Sequence, residues 1–222
     1  MQFDDFIQAS LDKWPNVPTL YGWLSLTRDG QWRLHPKTHI LNVDTHKQEA
    51  GESISSPGLI RFLNQYYFVD EDGAWFFQNG PQRVYVALSA APWILHLDTD
   101  NSARLITHTV QTIERIDTWY FDEEGLLYAQ TDKGFALIHG RDINALITYL
   151  EITEAQLEGL FEQITQLQEM LALDKHMVSE PIATTIKKVH HPIYGDAPLL
   201  LLPSKDREKV GQFVAYPNRP VI

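Results

Sequence analysis

Two segments of this sequence repeat the same pattern of residue types 52 positions apart. Residues 66–78 read YYFVDEDGAWFFQ, and residues 118–130 read TWYFDEEGLLYAQ. In both segments an aromatic run leads into three acidic residues and a glycine, and an apolar run then ends in glutamine. Because self-similarity at a fixed offset reflects repeated structural units, this feature restricts the chain to a fold that contains two related elements.

Each repeated segment predicts a β-hairpin. Acidic residues tolerate turn conformations, and Gly73 and Gly125 supply the positive φ that a tight turn needs. The aromatic and apolar residues on both sides favour half-buried strands. Further turns at residues 79–81 and 132–134 extend each hairpin to a three-stranded meander. A shorter echo of the pattern at residues 21–34 predicts one more hairpin.

Apolar residues at helical spacing predict three helices. The first begins near Pro57, and the second covers residues 141–150. The longest runs from Glu154 to Leu173, where Thr153 and Gln156 form a capping-box pattern at its start.

Three other segments have weaker patterns. Residues 42–53 are polar and without periodicity, which predicts a mobile loop. Residues 183–189 favour a strand. The remainder of the chain is proline-rich, and we expect an irregular tail there.

These elements predict an α+β fold, with mainly antiparallel hairpins and meanders in two pseudo-repeated units and flanking helices. The first domain covers residues 1–150, with units at roughly 19–97 and 98–150. Residues 151–222 then supply a long amphipathic helix and an irregular tail that packs back on the domain. A chain of 222 residues can bury a core without disulfides.

Charge and cysteine content exclude several functional classes. The net charge of −11 opposes binding to nucleic acid and to anionic membranes. No apolar run reaches the roughly 18 residues of a membrane helix, and the acidic N-terminus is unlike a secretory signal. The chain has no cysteine, which excludes disulfides and thiolate chemistry. We therefore expect a cytoplasmic protein.

No linear motif for catalysis, metal binding or a cofactor is present, so the sequence predicts no catalytic residue, no metal and no cofactor. The acids before Gly73 resemble a fragment of a calcium loop but lack the later ligands, so a turn is the better interpretation. Among the nine histidines, His35 and His39 lie four apart, but Pro36 between them disfavours one continuous helix face. His190 and His191 are adjacent, so in a strand they would point to opposite faces. Carboxylates and histidines that converge only in three dimensions stay open as an alternative.

The first meander has the composition of a ligand-binding surface. Arginine beside aromatic residues can bind a planar or anionic group by stacking and by bidentate hydrogen bonds. The alternative is that the aromatic side chains fill the core and the polar residues only turn the chain. The predicted ligand-binding residues are Trp75, Gln78, Asn79, Arg83 and Tyr85.

The longest predicted helix has one apolar stripe, for which two interpretations stay open. The stripe docks on its own domain, or it forms a short seam in a homodimer. The stripe consists of Leu157, Leu160, Phe161, Ile164, Leu167 and Leu171.

Several motifs resemble an uncharacterised proteobacterial family of unknown function. They are WPNVP at residues 14–18, YGWLSL at 21–26, GQWRL at 30–34 and WFFQNGPQRVYV at 75–86, followed by Pro92 and Trp93. The resemblance covers most of residues 12–150 and implies no catalytic residue. A fainter similarity links residues 79–84 to a second bacterial family, in which an acid stands where this chain has Gln82. That similarity implies repeated α+β motifs and a role in signalling or ligand binding.

From these observations we expect a non-enzymatic module that binds an unknown small molecule or protein. The alternatives are an enzyme with a spatially assembled carboxylate and histidine site, and a structural dimer through the helix at 154–173. A chain without an activity motif fits the first expectation best.

Overall fold

A computed structural model describes residues 5–36, 41–42, 47–48, 50–100, 103–173, 180–184 and 186–217. The chain forms two compact units, one made of residues 1–90 with 213–222 and one made of residues 91–212. We call them unit 1 and unit 2. These bounds differ from the expected ones, because the strand at residues 93–97 pairs within unit 2 and because the C-terminal third belongs largely to that unit.

Unit 1 contains a sheet of six strands in the order β5-β2-β1-β8-β7-β6. Strands β1 and β8 are parallel, and their neighbours are antiparallel. The elements are α1 (Asp5–Lys13), β1 (Leu20–Leu26), β2 (Trp32–Leu34), β3 (Leu41–Asn42), β4 (Lys47–Gln48), β5 (Glu52–Ser53), α2 (Pro57–Gln65), β6 (Tyr67–Val69), β7 (Trp75–Asn79) and β8 (Gln82–Leu88).

Unit 2 contains a sheet of seven strands in the order β10-β9-β13-β12-β11-β17-β14. Its elements are β9 (Trp93–Leu97), β10 (Leu105–Thr107), β11 (Ile116–Phe121), β12 (Leu127–Thr131), β13 (Gly134–Ile138), α3 (Ile143–Tyr149), α4 (Glu154–Leu173), β14 (Ile182–Ala183), β15 (Val189–His191), β16 (Gly195–Ala197), β17 (Leu199–Leu201) and α5 (Arg207–Gly211). Short 3₁₀ turns at Gly140–Asp142 and Ser204–Asp206 precede α3 and α5.

The two units repeat the same strand pairing, as the sequence predicted. Phe76 pairs with Tyr85 in unit 1, and Tyr128 pairs with Leu137 at the same offset of 52 in unit 2. Every pair within β6–β7–β8 has its counterpart in β11–β12–β13. The parallel neighbour also corresponds, since β1 lies beside β8 as β9 lies beside β13. The α+β fold with two pseudo-repeated units is confirmed.

The acidic residues of the repeat shape its turns. Asp70 Oδ1 accepts the backbone N–H groups of Asp72 (3.1 Å) and Ala74 (2.9 Å). Asp122 Oδ1 accepts those of Glu124 (2.9 Å) and Leu126 (2.8 Å) in the same way. A carboxylate that accepts the N–H groups two and four residues later holds a tight turn. These acids therefore serve as turn acceptors, and Gly73 and Gly125 follow at φ 82° and 77°.

The predicted helices are present as α2, α3 and α4. The capping box of α4 is formed, because Thr153 N–H donates to Gln156 Oε1 (2.9 Å) and Gln156 N–H donates to Thr153 Oγ1 (3.3 Å). Leu160, Ile164 and Leu167 are buried within the chain, whereas Phe161 is 54% exposed. Half of the predicted dimer stripe thus packs inside the chain, and a dimer through this helix stays a prediction.

Three predictions for the weaker segments are wrong. Within the expected loop at 42–53, the described residues include parts of β3, β4 and β5, while residues 43–46 and 49 lie outside the described ones. The expected strand at 183–189 is two short strands, with residue 185 outside the description.

The expected irregular tail contains β15, β16, β17 and α5. Leu199–Leu201 pairs in parallel with β11 and is largely buried there, as is typical of an apolar run in a parallel pair of strands. Within the described ranges, no helix has the length and apolar character that crossing a bilayer requires.

Candidate functional site

The sheet of unit 1 separates the predicted ligand-binding residues onto two faces. Gln78 pairs with Arg83, and Tyr85 lies two residues further along β8, so these three side chains share one face. Trp75 and Asn79 alternate with Gln78 on β7 and lie on the other face. Trp75 is buried there, with its ring 4.7 Å from that of Tyr67.

The three residues that share a face have close partners. The Arg83 guanidinium lies 4.1 Å from the centre of the Phe76 ring. Tyr85 stacks on Tyr21 at 4.8 Å and donates its hydroxyl to Asp70 Oδ2 at 2.6 Å. These contacts hold an aromatic and basic surface in one arrangement.

The buried side chain of Gln78 is only partly bonded. Its Nε2 donates to Gly80 O at 2.7 Å. Its Oε1 is buried and accepts no hydrogen bond within the part of the chain that the structure describes. A buried acceptor without a partner is costly, so this oxygen has unused capacity to bind a donor.

A second group of polar side chains lies at one end of the parallel strands of unit 2. His96 is next to last in β9, and His139 directly follows β13. Because Leu95 and Ile138 are opposite each other in these strands, the two histidines are the next opposite positions and share a face. Their rings lie 4.6 Å apart with a tilt of 34°.

The 3₁₀ turn Gly140–Asp142 folds the chain back and adds a carboxylate to this group. Asp142 Oδ2 lies 3.4 Å from His96 Nδ1 and accepts the backbone N–H of Leu97 at 3.3 Å. One ligand atom from each of His96, His139 and Asp142 lies within 4.8 Å of the others. We call this set the histidine–aspartate cluster.

Accessibility and charge differ across the histidine–aspartate cluster. The side chains of His96 and Asp142 are about a quarter exposed (26% and 25%), whereas His139 is buried. Burial and the nearby His139 lower the pKa of His96, and the carboxylate of Asp142 opposes this shift. Burial and the proximity of His96 lower the pKa of His108 to about 3. His108 is therefore uncharged at neutral pH.

The protonation of His139 is restricted by the turn that follows it. Its Nδ1 accepts the backbone N–H of Arg141 at 3.1 Å. Accepting this bond requires a lone pair on Nδ1, so Nε2 bears the proton in the neutral ring. An ion at Nδ1 would replace the bond, and an ion at Nε2 would require the proton to move to Nδ1. Ligation through either nitrogen therefore releases the Arg141 N–H.

Two imidazoles and one carboxylate are a donor set for divalent transition metals. Two ligands of one ion, with bonds of about 2.1 Å, lie at most about 4.2 Å apart. The observed span of up to 4.8 Å is longer, so binding requires these side chains to move closer together as well as the release of the Arg141 N–H. Sequence reasoning missed this set because its residues are 43 and 46 positions from His96. The repeat could have revealed the set, because aligning unit 2 with unit 1 places β9 beside β13 in the way that β1 lies beside β8.

The comparisons with known proteins give a family and no activity. A family described as "Protein of unknown function (DUF2946)", with the name DUF2944, matches residues 3–193. This match confirms the resemblance to an uncharacterised family. No curated protein matches the chain.

Two solved structures are similar to this chain. One is a DUF1285 family protein from Silicibacter pomeroyi DSS-3, with 16% identity, a TM-score of 0.40 and coverage of 69% of this chain and 88% of that one. The other is a DUF1285 family protein from Shewanella baltica OS155, with 10% identity, a TM-score of 0.39 and coverage of 57% of this chain and 91% of that one.

Proposed function

Because the chain belongs to the DUF2944 family of unknown function, we propose a function from its own geometry: unit 2 is a binding module for a divalent transition metal ion. The observation that carries this proposal is the convergence of His96, His139 and Asp142 within 4.8 Å. The proposal includes the cytoplasmic location expected from the sequence, which cell fractionation would check.

The positions of the three ligands support binding of an ion from solvent. His96 and Asp142 are partly exposed and provide the approach, while His139 provides a buried ligand on a strand end. Neighbouring strands and a 3₁₀ turn hold the three residues, and sites on such elements are more exact than sites on loops. The net charge of −11 also favours a cation over an anion as the first species bound.

The donor set indicates the kind of ion. Imidazole and carboxylate ligands suit Zn²⁺, Fe²⁺ and Ni²⁺, whereas Ca²⁺ requires six to eight oxygens. Three protein ligands leave at least one coordination position for water or a substrate. The enzymatic alternative from the sequence, a carboxylate and histidine site assembled in space, would act at this same position.

Calorimetric titration with Zn²⁺ tests the proposal. We expect one ion per chain and a loss of affinity of at least about 100-fold in His139→Ala and in Asp142→Asn. The matched control is His190→Ala, which removes an exposed histidine that lies 2.8 Å from Asp196 in the same unit. Circular dichroism verifies that each variant is folded. Absence of binding to the wild type, or loss of binding in the control variant alone, overturns the proposal.

The unbonded Gln78 Oε1 favours a second binding function, in unit 1. We propose that Gln78, Arg83 and Tyr85 bind a planar molecule that carries an acid and a hydrogen-bond donor. The guanidinium supplies the partner for the acid, and the buried Gln78 Oε1 would supply the acceptor for the donor after its side chain rotates toward the ligand. Trp75 and Asn79 lie on the opposite face and would support this surface only through the strand.

Thermal melting with 4-aminobenzoate tests the second function. Ligand binding to the folded state raises the melting temperature by mass action, and Arg83→Gln should remove that rise. Arg61→Gln is the control, because Arg61 is exposed on α2. If the melting temperature of the wild type does not change, or if both variants respond equally, this function is wrong.

A further inference from the structure

We propose that the metal centre on the histidine–aspartate cluster takes a carboxylate-bearing small molecule as its additional ligand, with Arg141 as the second contact. This inference rests on the proposed metal site. It adds the chemical class of the molecule that completes the coordination shell, and it assigns a role to a residue that ligates no metal.

The position of Arg141 is the first support. It lies between His139 and Asp142 in the 3₁₀ turn, and its backbone N–H contacts His139 directly. Its side chain is exposed. The guanidinium forms no ion pair with any residue in the described ranges. An exposed guanidinium without an ion-pair partner among the described residues, on the turn that carries Asp142, is available to bind an anion.

The electrostatics of the cluster give the second support. Arg141 directly precedes Asp142, the carboxylate of the cluster, in the 3₁₀ turn. A divalent ion bound by one carboxylate and two neutral imidazoles keeps a net charge of +1. Together with Arg141, the site would then present two units of positive charge to an incoming ligand, within a protein of net charge −11.

The chemistry of the two contacts selects a carboxylate. Arginine binds a carboxylate through two parallel N–H donors, and a three-ligand metal centre keeps an open position for an oxygen ligand. One carboxylate oxygen can coordinate the ion while the guanidinium binds the group. Metal ligation by His139 releases the backbone N–H of Arg141, which then provides one further donor beside the ion.

Visible absorption of the protein loaded with Co²⁺ tests this inference, because the spectrum reports coordination geometry. We expect acetate to change the spectrum in a saturable way, while perchlorate at equal ionic strength does not. In Arg141→Gln, the affinity for acetate should fall about tenfold with the affinity for Co²⁺ unchanged. Arg115→Gln is the control, since Arg115 is exposed and pairs with Asp117 in the same unit.

The outcomes separate this inference from the proposed function. If Co²⁺ gives no spectrum of a bound ion, the metal site itself fails. If Co²⁺ binds but acetate leaves its spectrum unchanged, the metal site stands and the carboxylate ligand is wrong. Equal acetate affinity in Arg141→Gln and in the wild type removes Arg141 from the site.

Discussion

The two units differ most at positions that their shared strand pairing makes equivalent. Leu24 pairs with Val86 in unit 1, and Leu95 pairs with Ile138 in unit 2. The next position on each strand is therefore Ser25 opposite Ala87 in unit 1. In unit 2 the corresponding residues are His96 and His139.

The strand antiparallel to β1 in unit 1 (β2) and to β9 in unit 2 (β10) extends this equivalence. The backbone N–H of His35 donates to Trp23 O (2.9 Å), and that of His108 donates to Ile94 O (2.7 Å). Each unit thus has a histidine directly after this strand, His35 after β2 and His108 after β10, at the same place in the pairing. In unit 1 the Nε2 of His35 lies 2.8 Å from Ser25 Oγ, and both residues are buried.

The same strand pairing thus carries a buried hydrogen bond in unit 1 and the histidine–aspartate cluster in unit 2. In unit 1, Ser25 and Ala87 occupy these positions, and Ser25 forms a buried hydrogen bond with His35. In unit 2, two histidines and a following aspartate form a partly exposed group of candidate metal ligands. The proposed function therefore depends on different residues at equivalent positions, while the pairing of the surrounding strands is the same in both units.

The largest expected effect comes from giving unit 2 the residues of unit 1. The double variant His96→Ser with His139→Ala should bind Zn²⁺ at least about 1000-fold more weakly, a loss of about 4 kcal/mol. The strands should stay intact, because unit 1 folds with these residues. Calorimetric titration measures the loss, and Ser25→Ala in unit 1 should leave the affinity for Zn²⁺ unchanged. An equal loss in Ser25→Ala would contradict the assignment of the site to unit 2.

Acid should destabilise unit 2 through a histidine that the repeat does not contain. His191 is fully buried, and burial lowers its pKa from 6.5 to about 4. Between these values the unfolded chain binds a proton that the folded chain does not, so stability falls as pH decreases from 6.5 to 4. The loss is up to about 3 kcal/mol.

Urea unfolding of His191→Asn at pH 7 and at pH 4.5 checks this prediction. The difference in unfolding free energy between the two pH values should be smaller in the variant than in the wild type. His190→Asn, at the exposed neighbouring position, should narrow this difference only slightly, because burial lowers the pKa of His191 more than the charge of His190 does. If the unfolding free energy of His191→Asn changes between pH 7 and pH 4.5 as much as that of the wild type, groups other than His191 cause the loss.

The two turn aspartates should differ in their contribution to stability. Both carboxylates accept a tyrosine hydroxyl, but Asp122 is buried, and its partner Tyr128 in turn accepts a bond from Arg207 (2.9 Å). Asp122→Ala should therefore cost about 3 kcal/mol, against about 1.5 kcal/mol for the less buried Asp70→Ala. Denaturant unfolding measures both losses.

An amide at the same position separates the turn bonds from the charge. Burial raises the pKa of Asp122 to about 6, so at pH 7.5 Asp122→Asn keeps an acceptor and removes a buried charge. It should restore most of the stability lost in Asp122→Ala. Equal losses in Asp122→Ala and Asp70→Ala would show that burial of the turn carries no additional energy.

The smallest effect is expected at the turn glycines. Gly125 has φ 77°, and an added Cβ would have no atom within 4 Å, so Gly125→Ala should cost only the backbone strain, about 1 kcal/mol. Gly58→Ala in α2 is the control, because its added Cβ also has open space and its φ is not positive. A cost at Gly58 equal to that at Gly125 would remove the left-handed turn as the cause.

The sequence predicted the elements whose pattern is local. The hairpins around Gly73 and Gly125, and the bounds of α4, follow from turn residues and from helical periodicity. The strand at Leu199–Leu201 was missed because its pairing with β11 depends on a segment almost 80 residues away.

The candidate metal site was missed for the same physical reason. His96 and His139 become neighbours only through the parallel pairing of β9 with β13, which leaves no linear spacing to recognise. In contrast, Gln78, Arg83 and Tyr85 were predicted together because a tight hairpin makes sequence neighbours into spatial neighbours. Trp75 and Asn79 lie on the other face because side chains alternate along a strand.

X-ray anomalous diffraction at the zinc absorption edge, on crystals of the protein loaded with Zn²⁺, locates the bound ion. We expect one strong peak per chain within bonding distance of His96, His139 and Asp142, and no peak beside Ser25 and His35. A peak at His190 and Asp196 instead, or no peak near His96, would contradict the proposed metal site.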